Sequence, residues 1–540
     1  MIDILLVASL AIFACAFTNR ISDKVGLPAL LVFILLGMLF GEDGALQIPF
    51  EDYGFAESAC SIGLIFIMFF GGFGTKWPQA RSVAVKAISL STLGVLLTTL
   101  FTAFFCRILL HFSVLESLLM GAVLSSTDAA SVFSVLRSKQ LNLKDNTASL
   151  LEVESGSNDP FAYMLTVLIL TMMAGSVTVG EMGILFFQQM VFGLGVGALV
   201  GFLALGALKH YEFSNSGLQM AFVIGVAVFS YAFSSFLGGN GYLSTYLCGI
   251  LLGNNDFKDR IPLIHFFNGI TGLMQMMIFF LLGLLASPSA FEAVLLPALV
   301  IFLILTFLAR PLAVWLLLTP QHASLPQQGV INWCGLRGAA SIVFAIMATL
   351  GEIRPQSDVF HITFLVVLFS ISLQGSLLPL ISKKLHMIDN SQNVLTTFTD
   401  YVDEEDVQFM KFAITKGHPW LGQSISVLPL PPRTLAAVII RDGQNIPPDG
   451  NTVLQEGDTL VLTAPNVEDN TFLTLRELPI LPGNRWIGKT LQQYGKKHAS
   501  LVIIIRRNGE NIIPNGQTVI EENDVLVMNT GRKVRKETMS

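Results

Sequence analysis

Two carboxyls, an amide and a hydroxyl crowd into one short stretch of an otherwise apolar run. The stretch reads Glu154-Ser155-Gly156-Ser157-Asn158-Asp159-Pro160, and it continues as Phe161-Ala162-Tyr163-Met164-Leu165. On a helix, residues four apart share a face, which sets Glu154 with Asn158 and Ser155 with Asp159. The two pairs adjoin, so one flank presents oxygen atoms, the ligand type that alkali cations take. A carboxyl in hydrocarbon is costly unless it serves there, and its default reading is an ion or proton pathway. Pro160 has no amide hydrogen, so it frees the carbonyl four residues earlier, that of Gly156, as one more candidate ligand.

Three further charges stand in apolar surroundings. Asp128 lies in Gly121-Ala122-Val123-Leu124-Ser125-Ser126-Thr127-Asp128-Ala129-Ala130-Ser131, and Arg337 in Asn332-Trp333-Cys334-Gly335-Leu336-Arg337-Gly338-Ala339-Ala340-Ser341. Each polar interruption reads as a broken helix whose exposed ends carry unsatisfied backbone groups and partial charge. Asp128 suits exposed helix N-termini and Arg337 suits exposed C-termini. Gly- and Ser-mediated helix packing is the plainer reading, but it leaves both charges unexplained. Arg310 sits in Leu308-Ala309-Arg310-Pro311-Leu312. A guanidinium cannot be neutralised there and must find an anion, for which Glu154 is the candidate. The alternative is that it snorkels to the interface. Glu152, nearer the end of the same run as Glu154, is expected to be solvated.

These residues must be positioned by membrane helices. The chain has 540 residues, 52% of them hydrophobic and 13% charged, against about 25% charged in a soluble protein. The imbalance falls in residues 1–388. A hydrocarbon core near 30 Å needs about 20 apolar residues per helix. On that rule thirteen spans lie near 3–18, 27–41, 57–75, 84–110, 115–136, 148–174, 183–208, 216–236, 241–253, 263–286, 291–318, 328–350 and 359–382. The breaks occupy the fifth and twelfth, which are matched positions in spans one to six and eight to thirteen. Such a pattern points to an inverted-repeat transporter. Alternate loops carry Lys76, Arg81, Lys86, Lys139, Lys144, Lys258, Arg260, Lys383 and Lys384, and the opposite set carries Glu42, Asp43, Glu51, Asp52, Glu181 and Glu292. Lys and Arg mark the cytoplasmic side. The expectation is a multi-pass protein of the cell inner (plasma) membrane, with its N-terminus outside and its C-terminal region cytoplasmic. The N-terminus reads as a retained span and not a signal peptide. The five cysteines read as apolar packing residues, and no basic run suggests nucleic acid.

The set of motifs resembles the NhaP-type branch of the monovalent cation/proton antiporters. The residues that carry the resemblance are Thr127-Asp128, then Glu154 to Pro160, Ala309-Arg310, and Gly335-Leu336-Arg337-Gly338. It covers residues 1–388. It implies thirteen spans with crossed broken helices, and a homodimer. It implies that Asp159 is the exchanging carboxyl and holds K+ or Na+ in turn with H+. It implies that Arg310 holds Glu154 and that Thr127, Ser155 and Asn158 line or brace the ion site. An Asn-Asp pair in this family goes with electroneutral exchange.

Beyond Met387 the texture is that of a soluble α+β protein. Residues 389–405 form an acidic linker, followed by modules at 406–482 and 483–540 with an internal repeat at an offset of 66 residues. Trp420-Leu421-Gly422 recurs as Trp486-Ile487-Gly488, and Pro448-Asp449-Gly450-Asn451-Thr452-Val453 as Pro514-Asn515-Gly516-Gln517-Thr518-Val519. Each unit reads as three strands joined by Asp-Gly or Asn-Gly turns, with one short helix before the first strand. The first resembles the C-terminal regulatory module of RCK-containing potassium systems (TrkA-C-like). The second is more divergent and could belong to a related module. Such modules dimerise and bind small ligands, so a regulatory nucleotide is a candidate partner, with a ligand-free dimerisation clamp as the alternative. His418, Arg433, Arg441, Arg506 and Arg507 are the anion-binding candidates. No other cofactor is expected.

The expected function is a secondary antiporter, not an enzyme. It exchanges cytoplasmic K+ for H+ by alternating access, with Na+/H+ exchange as the alternative. An RCK-gated cation channel would need a carbonyl selectivity filter, which the sequence lacks. An intramembrane aspartyl protease would need Asp128 and Asp159 to share a proton, and their contexts suit helix-end compensation and ion exchange better.

Overall fold

The computed structural model describes residues 9–10, 12–17, 29–139, 141–175, 179–211, 213–258, 260–351, 355–389, 407–430, 434–441, 444–465, 475–482, 484–495, 501–507, 510–512 and 514–529. The chain divides into two compact units, Met1–Glu404 and Glu405–Ser540. The expected linker lies almost wholly outside the described residues.

In the first unit, helices fill the second to thirteenth expected spans. They are α1 (Ala29–Phe40), α2 (Tyr53–Gly74), α3 (Ala84–Leu109), α4 (Val114–Val123), α5 (Ala129–Ser138), α6 (Thr147–Met173) and α7 (Val179–His210). Then follow α8 (Ser216–Phe236), α9 (Gly241–Gly253), α10 (Arg260–Leu285), α11 (Pro288–Leu318), α12 (Leu325–Trp333), α13 (Ala339–Leu350) and α14 (Val359–Lys384). The first expected span lies largely outside the described residues. Among those described, seven helices are long and apolar enough to cross a membrane. The fifth and twelfth spans are each split in two, as their polar interruptions require.

The helices form two bundles. In one, α9 packs on α2, α7 and α8, and α10 packs on α1 and α2. Glycine permits this closeness: a Cβ on Gly72 would fall 2.2 Å from the Tyr246 carbonyl, and one on Gly249 2.3 Å from that of Phe69. Small residues at such crossings are what lets membrane helices pack without a hydrophobic driving force. In the other bundle, α4 packs on α3 and α6, and α14 packs on α11 and α13. Three of its helices carry a π-turn, Leu90–Gly94 in α3, Leu305–Ala309 in α11 and Ser370–Gly375 in α14, and the first two stand at corresponding places of the two halves. Of these two, the second has a direct cause. Pro311 clashes with the carbonyl four residues back and offers no donor, so the Arg310 N–H reaches the Leu305 carbonyl, five residues back. The inserted residue turns Arg310 relative to the helix before it.

The second unit holds two four-stranded antiparallel sheets of one design. The first comprises β1 (Val407–Ala413), β2 (Leu435–Arg441), β3 (Gln444–Ile446) and β4 (Thr459–Pro465) in the order β1-β4-β2-β3. The second comprises β5 (Leu475–Pro479), β6 (Leu501–Arg507), β7 (Glu510–Ile512) and β8 (Val525–Asn529) in the order β5-β8-β6-β7. Two expectations change. Each sheet has an extra leading strand, and the short helical turn follows it (Ile425–Val427 and Leu491–Gly495). Because β5 pairs with β8, the second module starts before residue 483, where the sequence repeat had placed it. Both β1 and β5 precede the tryptophan with which the detectable repeat begins.

Two of the expected anion-binding arginines are spent on the fold. Arg441 donates to both carboxyl oxygens of Asp458 at 2.7 Å and to the Val453 carbonyl at 2.9 Å. Arg507 repeats this with Asp524 at 2.8 Å, with the Val519 carbonyl at 2.8 Å, and with Glu521. The hydrogen bonds from Arg441 hold the Asp458 carboxyl below its ordinary pKa. Burial pushes Asp524 up, but the bonds from Arg507 and the Glu521 amide outweigh it, and its carboxyl also lies low. A carboxyl whose pKa is depressed on folding stabilises the fold above its unfolded value, about 4, and loses that contribution as pH falls through the folded value. We therefore expect both modules to hold from neutrality down to about pH 4 and to open below it. Arg441→Leu in the full chain should speed amide exchange at pH 7 in 435–465 by about tenfold or more, since it strands the buried Asp458. The second sheet should be unaffected. Equal exchange in the first sheet before and after the substitution would show that the pair does not hold it.

Candidate functional site

The two helix breaks meet. α4 ends at Val123 and resumes as α5 at Ala129, while α12 ends at Trp333 and resumes as α13 at Ala339. The Asp128 N–H donates to the Leu336 carbonyl at 2.8 Å. The Arg337 guanidinium donates to the Ser125 and Ser126 carbonyls at 2.9 and 2.8 Å. It so satisfies acceptors just past the C-terminal end of α4, where the helix leaves partial negative charge. Its own N–H donates to Ser370 Oγ at 3.1 Å, in the π-turn of α14. Asp128 does the converse. Its carboxylate accepts from the Ala130 and Ser131 amides at 3.0 and 3.4 Å and from Ser131 Oγ at 2.5 Å, at the start of α5. The start of α13 abuts the same carboxylate, because a Cβ on Gly338 would lie 2.4 Å from Asp128 Oδ2.

α6 runs beside the breaks without interruption, through Pro160. Asp159 is 8% exposed and accepts from Ser126 Oγ. Ser155 Oγ donates to the Thr127 carbonyl at 2.7 Å and accepts from the Ala129 amide at 2.8 Å. Asn158 Nδ2 donates to Thr127 Oγ1 at 2.6 Å. Glu154 and Arg310 form an ion pair at 2.5 Å, with 1% and 3% of their side chains exposed. Arg310 therefore does not snorkel. A pair buried this completely needs good geometry to offset its desolvation.

A cavity of about 660 Å³ separates the bundles and ends at Asp159. Ser126, Thr127, Asp128, Glu152, Ser155, Asp159 and Gly338 line one wall; α2 and α10 supply the other, with His265, Asn268, Thr271 and Gln275. Its walls draw on the first halves of α6 and α10 and the last half of α2, the side of the basic loops. The cavity corrects the sequence reading in three ways. Glu154 and Asn158 do not line it, so the expected single flank is divided: Ser155 and Asp159 face the cavity, while Glu154 faces Arg310 and Asn158 faces Thr127. Glu152, expected to be solvated, is half-buried in the cavity wall. Ser126 and the polar stripe of α10 were not anticipated. The stripe has a legible signal, four polar residues at roughly helical spacing in an apolar helix, but a serine beside Asp128 carries none of its own.

The arrangement offers a monovalent cation oxygen ligands of the hard type: the Asp159 carboxyl, the Ser126 and Ser155 hydroxyls and the Thr127 carbonyl. Comparison with known proteins gives the family. The sequence pattern of the family "sodium/hydrogen exchanger, transmembrane" matches residues 7–384. That of the TrkA-C domain matches twice, at 409–468 and 475–532, so the more divergent second module is of the same kind as the first. The K(+)/H(+) antiporter NhaP2 of Shewanella sp. (strain ANA-3) is 33% identical over 467 residues, covering 84% of this chain and 80% of that protein. The K(+)/H(+) antiporter NhaP of Alkalimonas amylolytica is 34% identical over 446 residues, covering 82% and 78%. The solved structure of the sodium proton antiporter MjNhaP1 from Methanocaldococcus jannaschii at pH 8 superposes with a TM-score of 0.64 at 24% identity, over 71% of this chain and 99% of that one.

The Glu154–Arg310 pair gives a test of the site's framework. Arg310→Leu leaves a buried carboxylate without its cation and should destabilise the membrane unit by about 3–5 kcal/mol. Adding Glu154→Gln should recover most of the loss, because the stranded charge is gone. Thermal unfolding of the purified single and double variants measures this; equal destabilisation in both would show that the pair is not coupled.

Proposed function

The chain belongs to the sodium/hydrogen exchanger family and is a cation/proton antiporter, and we propose that it exchanges cytoplasmic K+ for H+ at Asp159, with Na+ as a second substrate. The choice of K+ follows the relatives named K(+)/H(+) antiporters, whose similarity covers more than four-fifths of this chain. The orientation follows from the loops: the basic ends face the cytoplasm, so the cavity is open to the inside and the N-terminus lies outside.

The observation that carries the proposal is the charge balance around the cavity floor. By count, Glu154 and Asp128 balance Arg310 and Arg337, although only Glu154 and Arg310 form an ion pair; Arg337 holds the Ser125 and Ser126 carbonyls, and Asp128 the amides at the start of α5. Asp159 is left as the acid without a counter-charge in that set, and it faces the cavity. One proton or one monovalent cation restores neutrality. The empty site carries a net negative charge in a region that disfavours charge, so only the loaded forms cross readily between the two faces. A cation near the carboxyl favours its ionised form, and burial favours the protonated form. Proton release thus accompanies cation entry, and cation release accompanies protonation. Exchange is then electroneutral, one cation for one proton. Ser155 and Thr127 supply further ligand oxygens, Asn158 braces Thr127, and Asp128 and Arg337 hold the breaks open. The protein acts as a homodimer in the cell inner membrane. Its two TrkA-C modules bind a small regulatory ligand, a nucleotide being the first to test; Arg441 and Arg507 are paired within the sheets, and Arg433 lies outside the described residues.

Collapse of a pH gradient in everted vesicles, followed with a ΔpH-sensitive dye, tests this. Addition of K+ should dissipate the gradient, Na+ should do so less well, and Asp159→Asn should abolish both responses while the protein still inserts. Cation-dependent proton flux of wild-type size in Asp159→Asn vesicles would exclude this residue as the exchange site.

A further inference from the structure

The Asn240-Gly241-Tyr242 segment belongs to none of the functions above, yet it is among the most deeply buried polar stretches of the membrane unit. α9 has 13 residues, about 20 Å at 1.5 Å per residue against a hydrocarbon core near 30 Å. Its N-terminus therefore begins inside the bundle, where Asn240 is 0% exposed and Tyr242 1%. The turn that carries the chain there depends on glycine: Gly238 has φ +77°, and a Cβ on Gly239 would lie 2.6 Å from Phe192 Cβ. Asn240 is anchored within its own bundle. Its N–H donates to the Gln189 carbonyl at 3.0 Å, and its Oδ1 caps the Leu243 amide at 3.0 Å.

Its remaining group crosses to the other bundle. Asn240 Nδ2 donates to the Pro160 carbonyl at 2.6 Å, on the residue next to Asp159. Tyr242 meets Tyr163 edge-to-face with ring centroids 4.9 Å apart, and Tyr231 of α8 backs Tyr242 at the same distance. Phe344 of α13 lies against Tyr163 at 5.8 Å. Tyr163 is one helical turn past Asp159, and these residues are absent from the cavity wall. The cavity and these contacts thus occupy the two sides of Asp159 along the same boundary between bundles, one open and one closed.

We infer that Asn240, Tyr242 and Tyr163 form a latch that seals the Asp159 site toward the acidic-loop end and parts in the other half of the transport cycle. This rests on the reading of Asp159 as the exchange site. For that site to face the acidic-loop end, the bundles must separate at the level of Pro160 and Tyr163. The contacts that must break include the Asn240–Pro160 hydrogen bond, the tyrosine pair and, beside them, the edge-to-face contact of Phe161 with Phe186 of α7 at 5.7 Å. The anchor and cap bonds of Asn240 lie within one bundle and persist. Loss of one such hydrogen bond or ring contact shifts a two-state equilibrium by about fivefold.

Thr166 reports on the latch. It is fully buried, and it shares a face of α6 with Asp159 and Tyr163 at spacings of seven and three residues. In the full-length protein, with its five cysteines replaced by alanine, Thr166→Cys is exposed in right-side-out vesicles to a membrane-impermeant maleimide. Asn240→Ala should raise the labelling rate about fivefold, and so should Tyr242→Leu, which keeps the measurement available should the first variant fail to insert. Unchanged labelling in inserted variants would overturn the latch. Adding Asp159→Asn separates the two readings. Labelling that responds to the latch variants while Asp159→Asn still exchanges cations would sink the site assignment and leave the latch standing.

Discussion

Arg337 ties the two halves of the membrane unit together. Its guanidinium takes the carbonyls of Ser125 and Ser126 from the opposite half, and Asp128 in turn sends its N–H to the carbonyl of Leu336. Broken helices are tolerable inside a membrane only where their freed backbone groups find partners in protein. Here the partner is a permanent cation, and it meets the end of a helix where cations are favoured. The same contact sets up the site: Ser126, whose carbonyl Arg337 holds, gives its hydroxyl to Asp159. The residue that makes the break tolerable thus also positions the donor to the central carboxyl.

From this follows a division of labour among the buried charges. Glu154 and Arg310 satisfy each other behind α6, and the π-turn forced by Pro311 places Arg310 there. Asp128 sits where two helices begin, and Arg337 lies beyond the end of α4. These four groups are fixed by the fold and make the interior nearly neutral. Asp159 borders the cavity and, by count, is the acid left over in this set, and the proposed exchange rests on it. The cavity and the tyrosine–asparagine contacts then give the site its sidedness, since both lie on the boundary between the bundles.

Much of this is legible in the sequence because charge is rare in lipid. Asp128, Arg310, Arg337, Glu154 and Asp159 each stand out in an apolar run, and Glu154 is the candidate partner of Arg310. The breaks are legible for the same reason. What the sequence hides is direction. The i, i+4 pairing correctly groups Ser155 with Asp159 and Glu154 with Asn158, but it does not tell which pair faces water, because the cavity is built by α2 and α10, far along the chain. Ser126 is hidden because serine is ordinary in membrane helices. In the C-terminal modules the repeat was plain from Trp420 onward, yet β1 and β5 escaped it. The Arg441–Asp458 and Arg507–Asp524 pairs recur in both copies at a separation of 17 residues, a signal that would have marked both arginines as structural.

The central claim is that one carboxyl holds either a proton or a cation. Titrating KCl into weakly buffered, purified protein near pH 8 and recording proton release tests it most directly. The account predicts proton release that saturates with K+ binding, and no release from Asp159→Asn. Saturable K+ binding without proton release from the unaltered protein would contradict it.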